Sequence, residues 1–314
     1  MTRHLTPVLA MAILGALSLV PLAVWAFDAP FYLDLFNRVM IYAIAAVSLN
    51  LVMGYGGLVS FGHAAFLGIG GYAVGILTSH EITSGYLQWP AAMLAAALFA
   101  LATGTVVLRT TGVHFIMITL AFAQMLFFLF TSLESYGGDD GMTLWSRSSF
   151  PGLLDLENDT VFYYVVFAVL LGALALSHRV VESRFGRVLR GAKENDRRMR
   201  AIGFPTFRYR LVAYALSGAL SGLAGALLTN ATQFVGPNML SWARSGEIMV
   251  MVLLGGLGTI FGPLFGAVAY VLLSHFLADL TKHWHIIMGP FLVLVALYAR
   301  GGLHGLVARL GRRP

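Results

Sequence analysis

Basic side chains concentrate in one short stretch of this chain. Residues 184–204, RFGRVLRGAKENDRRMRAIGF, hold seven of its twenty Lys and Arg, and Arg179 lies just before them. Guanidinium and ammonium groups bind phosphates, carboxylates and anionic lipid rather than make covalent bonds. The net charge of +6 would fit nucleic acid, but these residues adjoin apolar segments. Charge that fixes membrane topology explains them better, so no nucleic-acid partner is predicted.

No catalytic motif accompanies the cluster. A P-loop needs a Gly-Lys pair, and neither lysine, Lys193 or Lys282, follows a glycine. His80-Glu81 is the only His-Glu pair and lacks the second His of a zinc-protease motif, and no GxSxG sequence occurs. The chain has no cysteine, which excludes thiol nucleophiles and Fe–S centres. The sequence therefore predicts no metal site, cofactor or ATP site within this chain, and an intramembrane enzyme remains an alternative without a supporting motif.

The composition indicates an integral membrane protein. Apolar residues make up 58% of the chain and charged residues 11%, with a mean hydropathy of +0.80. Soluble domains contain about 25% charged residues. The fewer charged residues of this chain could not cover its apolar surface in water. We expect an all-α polytopic membrane protein with residues 1–314 in one domain, because no linker or low-complexity stretch divides the chain.

About ten transmembrane segments are predicted, because a helix needs about 20 apolar residues to cross the hydrocarbon. Several are broken by glycine, and residues 247–279 are read as two short pieces divided at GGLGTIFGP. Whether residues 247–257 cross the membrane fully is left open. The segments lie at residues 8–27, 31–53, 60–79, 87–108, 113–133, 161–181, 211–229, 247–257, 258–279 and 285–300.

Charge asymmetry predicts the orientation. Residues 179–210 carry ten Lys and Arg against three acids, whereas residues 134–159 carry six acids against Arg147 alone. The positive-inside rule places the first region in the cytoplasm and the second outside. We therefore expect a cytoplasmic loop at about 182–210, an external loop at about 134–160, and both termini in the cytoplasm. The terminal basic residues that support this are Arg3, Arg309, Arg312 and Arg313.

The first 27 residues also have features of a signal peptide, since Arg3 and His4 precede an apolar run that ends in LAVWA. The run is long for a signal peptide and no clean A-x-A cleavage site follows it, so a first membrane span is the better interpretation.

Two glycine-rich segments resemble each other. GGLVSFGHAAFLG (residues 56–68) matches GGLGTIFGPLFG (residues 255–266), one residue out of step after GGL. Matched broken helices in two halves of a transporter point to its translocation path, although glycine also lets membrane helices pack closely. Polar residues nearby add to the candidate path, and Asp34 and Arg38 are expected to form a local ion pair. The candidate path residues are Asn50, Ser60, His63, Gln124, Gly255 and Gly256.

The basic segment is predicted to be an amphipathic surface helix that ends at Gly203 and Pro205. One face is expected to carry Val188, Ala192, Asn195, Met199 and Ile202. A helix on anionic lipid is one interpretation. The other is a rigid docking helix for a soluble partner, because a topology anchor would need neither an ordered apolar face nor a helix stop.

The segment ENDRRMRAIGF resembles the cytoplasmic coupling loop of ABC importer permeases. More specifically, the chain is similar to LivM-type permeases of branched-chain amino-acid importers. Its matching segments include LNLVMGYGGLVSFGHAAFLGIGGYA (residues 49–73), GGDDGMTL (residues 137–144) and VMVLLGGLGTIFGPLFGA (residues 250–267). The chain has Arg198, Met199 and Arg200 where the family loop usually has alanines and an acid. The implied ATPase-coupling residues are Glu194, Asn195, Asp196, Arg197, Arg198, Met199, Ala201, Ile202 and Gly203.

The resemblance implies a permease subunit that moves branched-chain amino acids or related small polar solutes inward by alternating access. It also implies two cytoplasmic ATPase subunits that bind ATP and Mg, a second homologous permease subunit, a periplasmic or extracellular solute-binding protein, and a place in a bacterial inner membrane. The alternative is a stand-alone channel or facilitator for a small polar solute of the urea or amide type. The substrate and the partner permease are left open.

Overall fold

The computed structural model describes residues 5–27, 29–152, 154–298, 301–303 and 305, and these are predominantly helical. A π-helical turn, Leu51–Tyr55, continues α2, and one two-stranded ribbon pairs β1 (Met142–Thr143) with β2 (Phe234–Val235). The helices are α1 (Leu5–Phe27), α2 (Phe31–Asn50), α3 (His63–Ser79), α4 (Gly85–Val107), α5 (Val113–Ser132), α6 (Asp159–Glu182), α7 (Arg184–Ala201), α8 (Thr206–Thr232), α9 (Trp242–Gly255), α10 (Gly262–Leu280) and α11 (Trp284–Tyr298).

All ten predicted segments correspond to helices. Within the described ranges, seven of these are long and apolar enough to cross a membrane: α1, α2 with its π-helical turn, α4, α5, α6, α8 and α10. The other three are shorter, with 17 residues in α3, 14 in α9 and 15 in α11. The protein is thus an all-α polytopic membrane protein. The predicted basic residues at both termini, Arg3, Arg309, Arg312 and Arg313, lie outside the described residues.

Helices α2 and α8 form the centre of the bundle. Helix α8 packs against α2, α3 and α4, while α2 also contacts α6, α9 and α10. Helix α1 lies on the outside against α2 and α6, where the Tyr163 hydroxyl donates a 2.6 Å hydrogen bond to the Leu17 carbonyl. The most buried helices are therefore those beside the two glycine-rich segments.

Small residues let these helices approach closely. A Cβ atom on Gly255 or Gly266 would overlap backbone of the facing helix, so α9 and α10 touch through their main chains. Gly70 on α3 and Gly222 on α8 make the same kind of contact. In lipid the hydrophobic effect does not drive helices together, so close packing of this kind stabilises their association. Gly258, four residues before Gly262, lies in the loop before α10, at φ +71°.

The predicted external loop folds onto the end of the bundle that is opposite α7. Arg147 forms a 2.7 Å ion pair with Asp159, and Ser148 N donates a 2.6 Å hydrogen bond to Asn230 Oδ1 at the end of α8. The Ser148 hydroxyl also donates to Gln88 Oε1 on α4. Since β1 pairs with β2 beyond α8, this loop ties together α4, α6 and α8.

Candidate coupling segment and broken-helix core

The basic segment forms helix α7, which lies against the ends of α6 and α8 and beside the π-helical turn. The Ser183 hydroxyl caps its first turn by accepting a 3.3 Å hydrogen bond from Gly186 N. Its buried residues are Gly186, Val188, Leu189 and Ala192, while its Arg side chains are mostly exposed. The first half of α7 is thus an amphipathic helix, as the sequence predicts.

The predicted single apolar face does not continue to Ile202, and this expectation is corrected. Asn195 has non-helical dihedral angles (φ −154°, ψ 93°), and its Oδ1 accepts a 2.9 Å hydrogen bond from Arg198 N. An Asn side chain that bonds to a main-chain N–H two or three residues later starts a new helix. Asn195 therefore caps a short second helix that points in a new direction, and its own side chain is exposed rather than buried.

The second helix ends as expected. Gly203 has φ +93°, a conformation that favours glycine, and Phe204 N donates a 3.1 Å hydrogen bond back to the Met199 carbonyl. The side chains of Ile202 and Phe204 are 63% and 37% exposed. Exposed apolar residues next to exposed charged ones are typical of a protein-binding surface.

One ion pair links the second helix to α8, and a second ion pair lies within that helix. Asp196 lies 2.6 Å from Arg200 and 3.5 Å from Arg210 of α8, whose guanidinium also donates to the Ala192 carbonyl at 3.0 Å. Among the described residues, Glu194, Arg197 and Arg198 form no ion pair, and they and Ala201 are exposed. Of the nine predicted coupling residues, Asp196 therefore has a positioning contact, whereas most of the others present side chains outward.

Lys193 joins α7 to the end of α2. Its Nζ donates a 2.7 Å hydrogen bond to the carbonyl of Gly54 in the π-helical turn. Its aliphatic chain lies beside Gly57, where a Cβ would lie 2.7 Å from Lys193 Cγ. Nothing in the sequence separates Lys193 from the other basic residues, because a π-helical turn that frees a carbonyl has no simple sequence signal.

Asn50, one turn before Gly54, binds the second glycine-rich segment. Its Nδ2 donates to the Thr259 carbonyl at 2.8 Å, and its Oδ1 accepts from Gly258 N at 3.0 Å. The Asn50 side chain is buried, as are Gly255 and Gly256 at the end of α9. The amide thus satisfies both a donor and an acceptor of the loop that separates α9 from α10.

Ser60 and His63 lie at the other glycine-rich break, where residues 56–62 precede α3. The Ser60 hydroxyl accepts a 3.2 Å hydrogen bond from Gly62 N, just before the first residue of α3, His63. His63 Nε2 lies 2.9 Å from Ser217 Oγ, which donates to the Ser48 carbonyl at 2.5 Å. Because that hydroxyl already donates, His63 must donate from Nε2, and its buried Nδ1 has no partner among the described residues.

The two breaks therefore have the same form, a short irregular segment followed by a helix, and both contact the end of α2. Irregular backbone at membrane depth occurs only where it is buried in protein or lines a cavity. Gln124 is half-buried on α5 and makes no hydrogen bond within the described contacts. Asp34 and Arg38 form no ion pair with each other; both are exposed, which corrects the expected local pair.

Comparison with known proteins agrees with this architecture. A family model described as a branched-chain amino acid transport system permease component matches residues 31–297. The chain is 28% identical to the high-affinity branched-chain amino acid transport system permease protein LivM of Escherichia coli K12, over 91% of this chain and 74% of that protein. It is 24% identical to LivH of the same organism, over 88% of this chain and 96% of that protein.

A further relative covers a similar share of the chain. The probable branched-chain amino acid transport permease protein LivM of Methanocaldococcus jannaschii is 23% identical, over 86% of this chain and 93% of that protein. No solved structure matches the chain. Because the family model covers most of the sequence, including both glycine-rich breaks and α7, the chain belongs to the family of branched-chain amino acid transport permease components.

Proposed function

We propose that this chain is the permease subunit of an ATP-binding-cassette importer in a bacterial inner membrane, with both termini in the cytoplasm. It would import branched-chain amino acids or related small polar solutes, together with a second permease subunit and a solute-binding protein outside. Two ATPase subunits would bind ATP and Mg, since no P-loop occurs in this chain.

One observation carries the proposal: α7 ends in an exposed apolar tip and is joined by a hydrogen bond to the end of α2, which contacts both breaks in the helical core. Ile202 and Phe204 form the tip, Lys193 bonds to Gly54, and Asn50 bonds to the loop before α10. A push on α7 would therefore reach the end of α2 and the glycine-rich segments without passing through lipid. The chain does no covalent chemistry in this proposal.

In this mechanism α7 acts as two rigid pieces rather than one. The second helix, linked to α8 by Asp196 and Arg210, docks in the ATPase, while the first half is held between α6, α8 and the end of α2. Closure of the ATPase pair moves α6 and α8 relative to α2. The two broken segments then open alternately to either side, because their irregular backbone is the part of the core with the fewest helical hydrogen bonds to break.

The test is ATP-driven uptake by the complete transporter in proteoliposomes, comparing Ile202→Glu with the control Ile202→Leu. A buried Ile contributes about 1.5–3 kcal/mol, so the Glu variant is expected to bind the ATPase roughly tenfold to a hundredfold more weakly and to lose uptake. The Leu variant is expected to behave as the wild type. Native uptake by Ile202→Glu would contradict docking, and uptake by this chain alone without ATP would establish the facilitator.

A further inference from the structure

A cavity of about 460 Å³ lies at the end of the bundle opposite α7. Its walls come from α2, α8, α9 and α10, with Trp284 of α11 and the residues around β2 at its rim. Its volume lies within the range of about 300–1,000 Å³ that is usual for small-molecule sites. None of the candidate path residues chosen from the sequence lines it.

An ion pair lies in the wall of this cavity. Arg244 Nη1 is 2.6 Å from Glu247 Oε2, one turn further along α9, and the Arg244 guanidinium lies 5.6 Å from the centre of the Tyr42 ring. The two side chains are 31% and 29% exposed, so neither is sealed in the protein. Glu247 is the first residue of the predicted membrane segment 247–257, and ionisable groups in such segments are costly and usually mark a functional site.

Both partners keep binding capacity that the described contacts do not use. The Arg244 guanidinium carries five N–H donors but donates to Glu247 from one terminal nitrogen only, and Glu247 accepts with only one carboxylate oxygen. A second guanidinium, that of Arg38, lines the same cavity and has no ion pair among the described residues. The cavity therefore offers two cations and one anion within one small volume.

The rest of the wall has more apolar than polar surface, although Thr232, Asn238 and Ser274 also line it. It includes side chains from four helices and from the segment that follows β2: Leu35, Leu228, Met239, Met251, Val271 and Ala278. Charged groups of both signs beside aliphatic ones match a molecule that carries a carboxylate, an ammonium group and an aliphatic side chain. A neutral solute such as urea needs only uncharged donors and acceptors, and would not offset the cost of placing ions there.

We infer that this cavity binds a zwitterionic aliphatic α-amino acid, with its carboxylate on Arg244 and Arg38, its ammonium on Glu247 and its side chain on the apolar wall. The inference rests on the proposed function and deepens it, because it gives the permease its own substrate-selective site. Selectivity would then reside in this chain as well as in a solute-binding protein.

The test measures ligand binding to the full-length chain in lipid nanodiscs by saturation-transfer NMR, without other subunits. The probes are leucine, 4-methylpentanoate, which lacks the ammonium, 3-methylbutylamine, which lacks the carboxylate, and urea. The wild type is expected to bind leucine about tenfold more tightly than either analogue, since each charge-assisted hydrogen bond adds that much or more. Urea is expected not to bind.

Two variants test which side chain binds the ammonium group and which binds the carboxylate. Glu247→Gln is expected to lose the preference for leucine over 4-methylpentanoate but keep the preference over 3-methylbutylamine, and Arg244→Gln is expected to show the reverse. A merely structural ion pair would not produce this exchange of preferences. Asp159→Asn is the control, because it removes a carboxylate from an ion pair at the same end of the bundle, outside the cavity.

Absence of leucine binding to the wild type, equal binding of all probes, or unchanged preferences in both variants would overturn the inference. ATP-driven uptake by the wild-type complex is measured in parallel. Uptake without binding at the cavity rejects only the amino-acid site, whereas absence of ATP-driven uptake rejects the proposed function itself.

Discussion

Lys193 Nζ donates a 2.7 Å hydrogen bond to the Gly54 carbonyl, and these residues are 139 positions apart in the chain. The bond connects α7, which lies against the end of the bundle, to the π-helical turn that ends α2. Since Asn50 lies on the same stretch and holds the loop before α10, two side chains connect α7 with both halves of the core.

Lys193→Met is expected to reduce uptake more than it reduces ATPase binding. Methionine keeps most of the aliphatic contact with Gly57 but removes the donor, which leaves the Gly54 carbonyl without its charged partner. A hydrogen bond to a charged group contributes about 1.5–3 kcal/mol, so the coupling of ATP hydrolysis to uptake is expected to fall at least tenfold. The measurement is solute imported per ATP hydrolysed in proteoliposomes.

Arg187→Met is the control for this prediction. Arg187 is an exposed basic residue on the same helix, and its side chain makes no hydrogen bond or ion pair among the described contacts. Equal loss of coupling in both variants would show that the general charge of α7, and not the bond to Gly54, is responsible.

Asn195→Ala is expected to destabilise the second helix of α7 by about 1 kcal/mol, because the cap on Arg198 N is lost. The measurement is amide hydrogen exchange at Arg198, which should become about fivefold faster. Asn195→Asp retains an acceptor oxygen and should restore slow exchange. Unchanged exchange in Asn195→Ala would contradict the cap and favour one continuous helix.

Asn50→Ala is expected to lower the free energy of unfolding by about 2–4 kcal/mol, because Gly258 N and the Thr259 carbonyl lose their partner in a partly buried loop. The measurement is unfolding in mild detergent, monitored by circular dichroism. The control is Gln124→Ala, which removes a half-buried amide that makes no described hydrogen bond and should cost less than about 1 kcal/mol. Similar losses of unfolding free energy in the two variants would contradict the proposal that Asn50 stabilises the loop before α10.

Gly266→Ala is expected to separate α9 from α10 or prevent folding, since the added methyl would overlap the Met251 carbonyl. Overpacking of this kind costs about 1–3 kcal/mol or more, measured as a lower thermal unfolding midpoint. Gly172→Ala on α6 is the matched control, because nothing lies within 4 Å of its added Cβ, and there the higher helix propensity of alanine should leave stability equal or greater. A stable Gly266→Ala protein would contradict the close contact of the two helices.

The helices were predictable from the sequence because hydrocarbon demands long apolar runs in which each backbone group is satisfied locally. The two glycine-rich segments were likewise recognised as breaks, and each precedes a helix in the structure, at His63 and Gly262. The end of α7 at Gly203 was also predicted, because a positive φ favours glycine.

The prediction that α7 continues in one direction beyond Asn195 is wrong. Periodicity places Asn195 on the apolar face, but its side chain competes for the main-chain N–H of Arg198, and the contacts of Asp196 with Arg210 favour the broken form. A prediction from helical periodicity uses only the polarity of the side chains and does not include hydrogen bonds from a side chain to the main chain.

By itself the sequence determined that this is a helical membrane protein with a basic surface segment, matched glycine breaks and no P-loop of its own. Those properties depend on composition and local spacing. Only the tertiary structure decided that Lys193 meets Gly54, that Asn50 meets Gly258, and that Arg38, Arg244 and Glu247 share one cavity. Partners so far apart in the chain meet only through packing, because a buried polar group takes the partner that the helix contacts bring within hydrogen-bond distance.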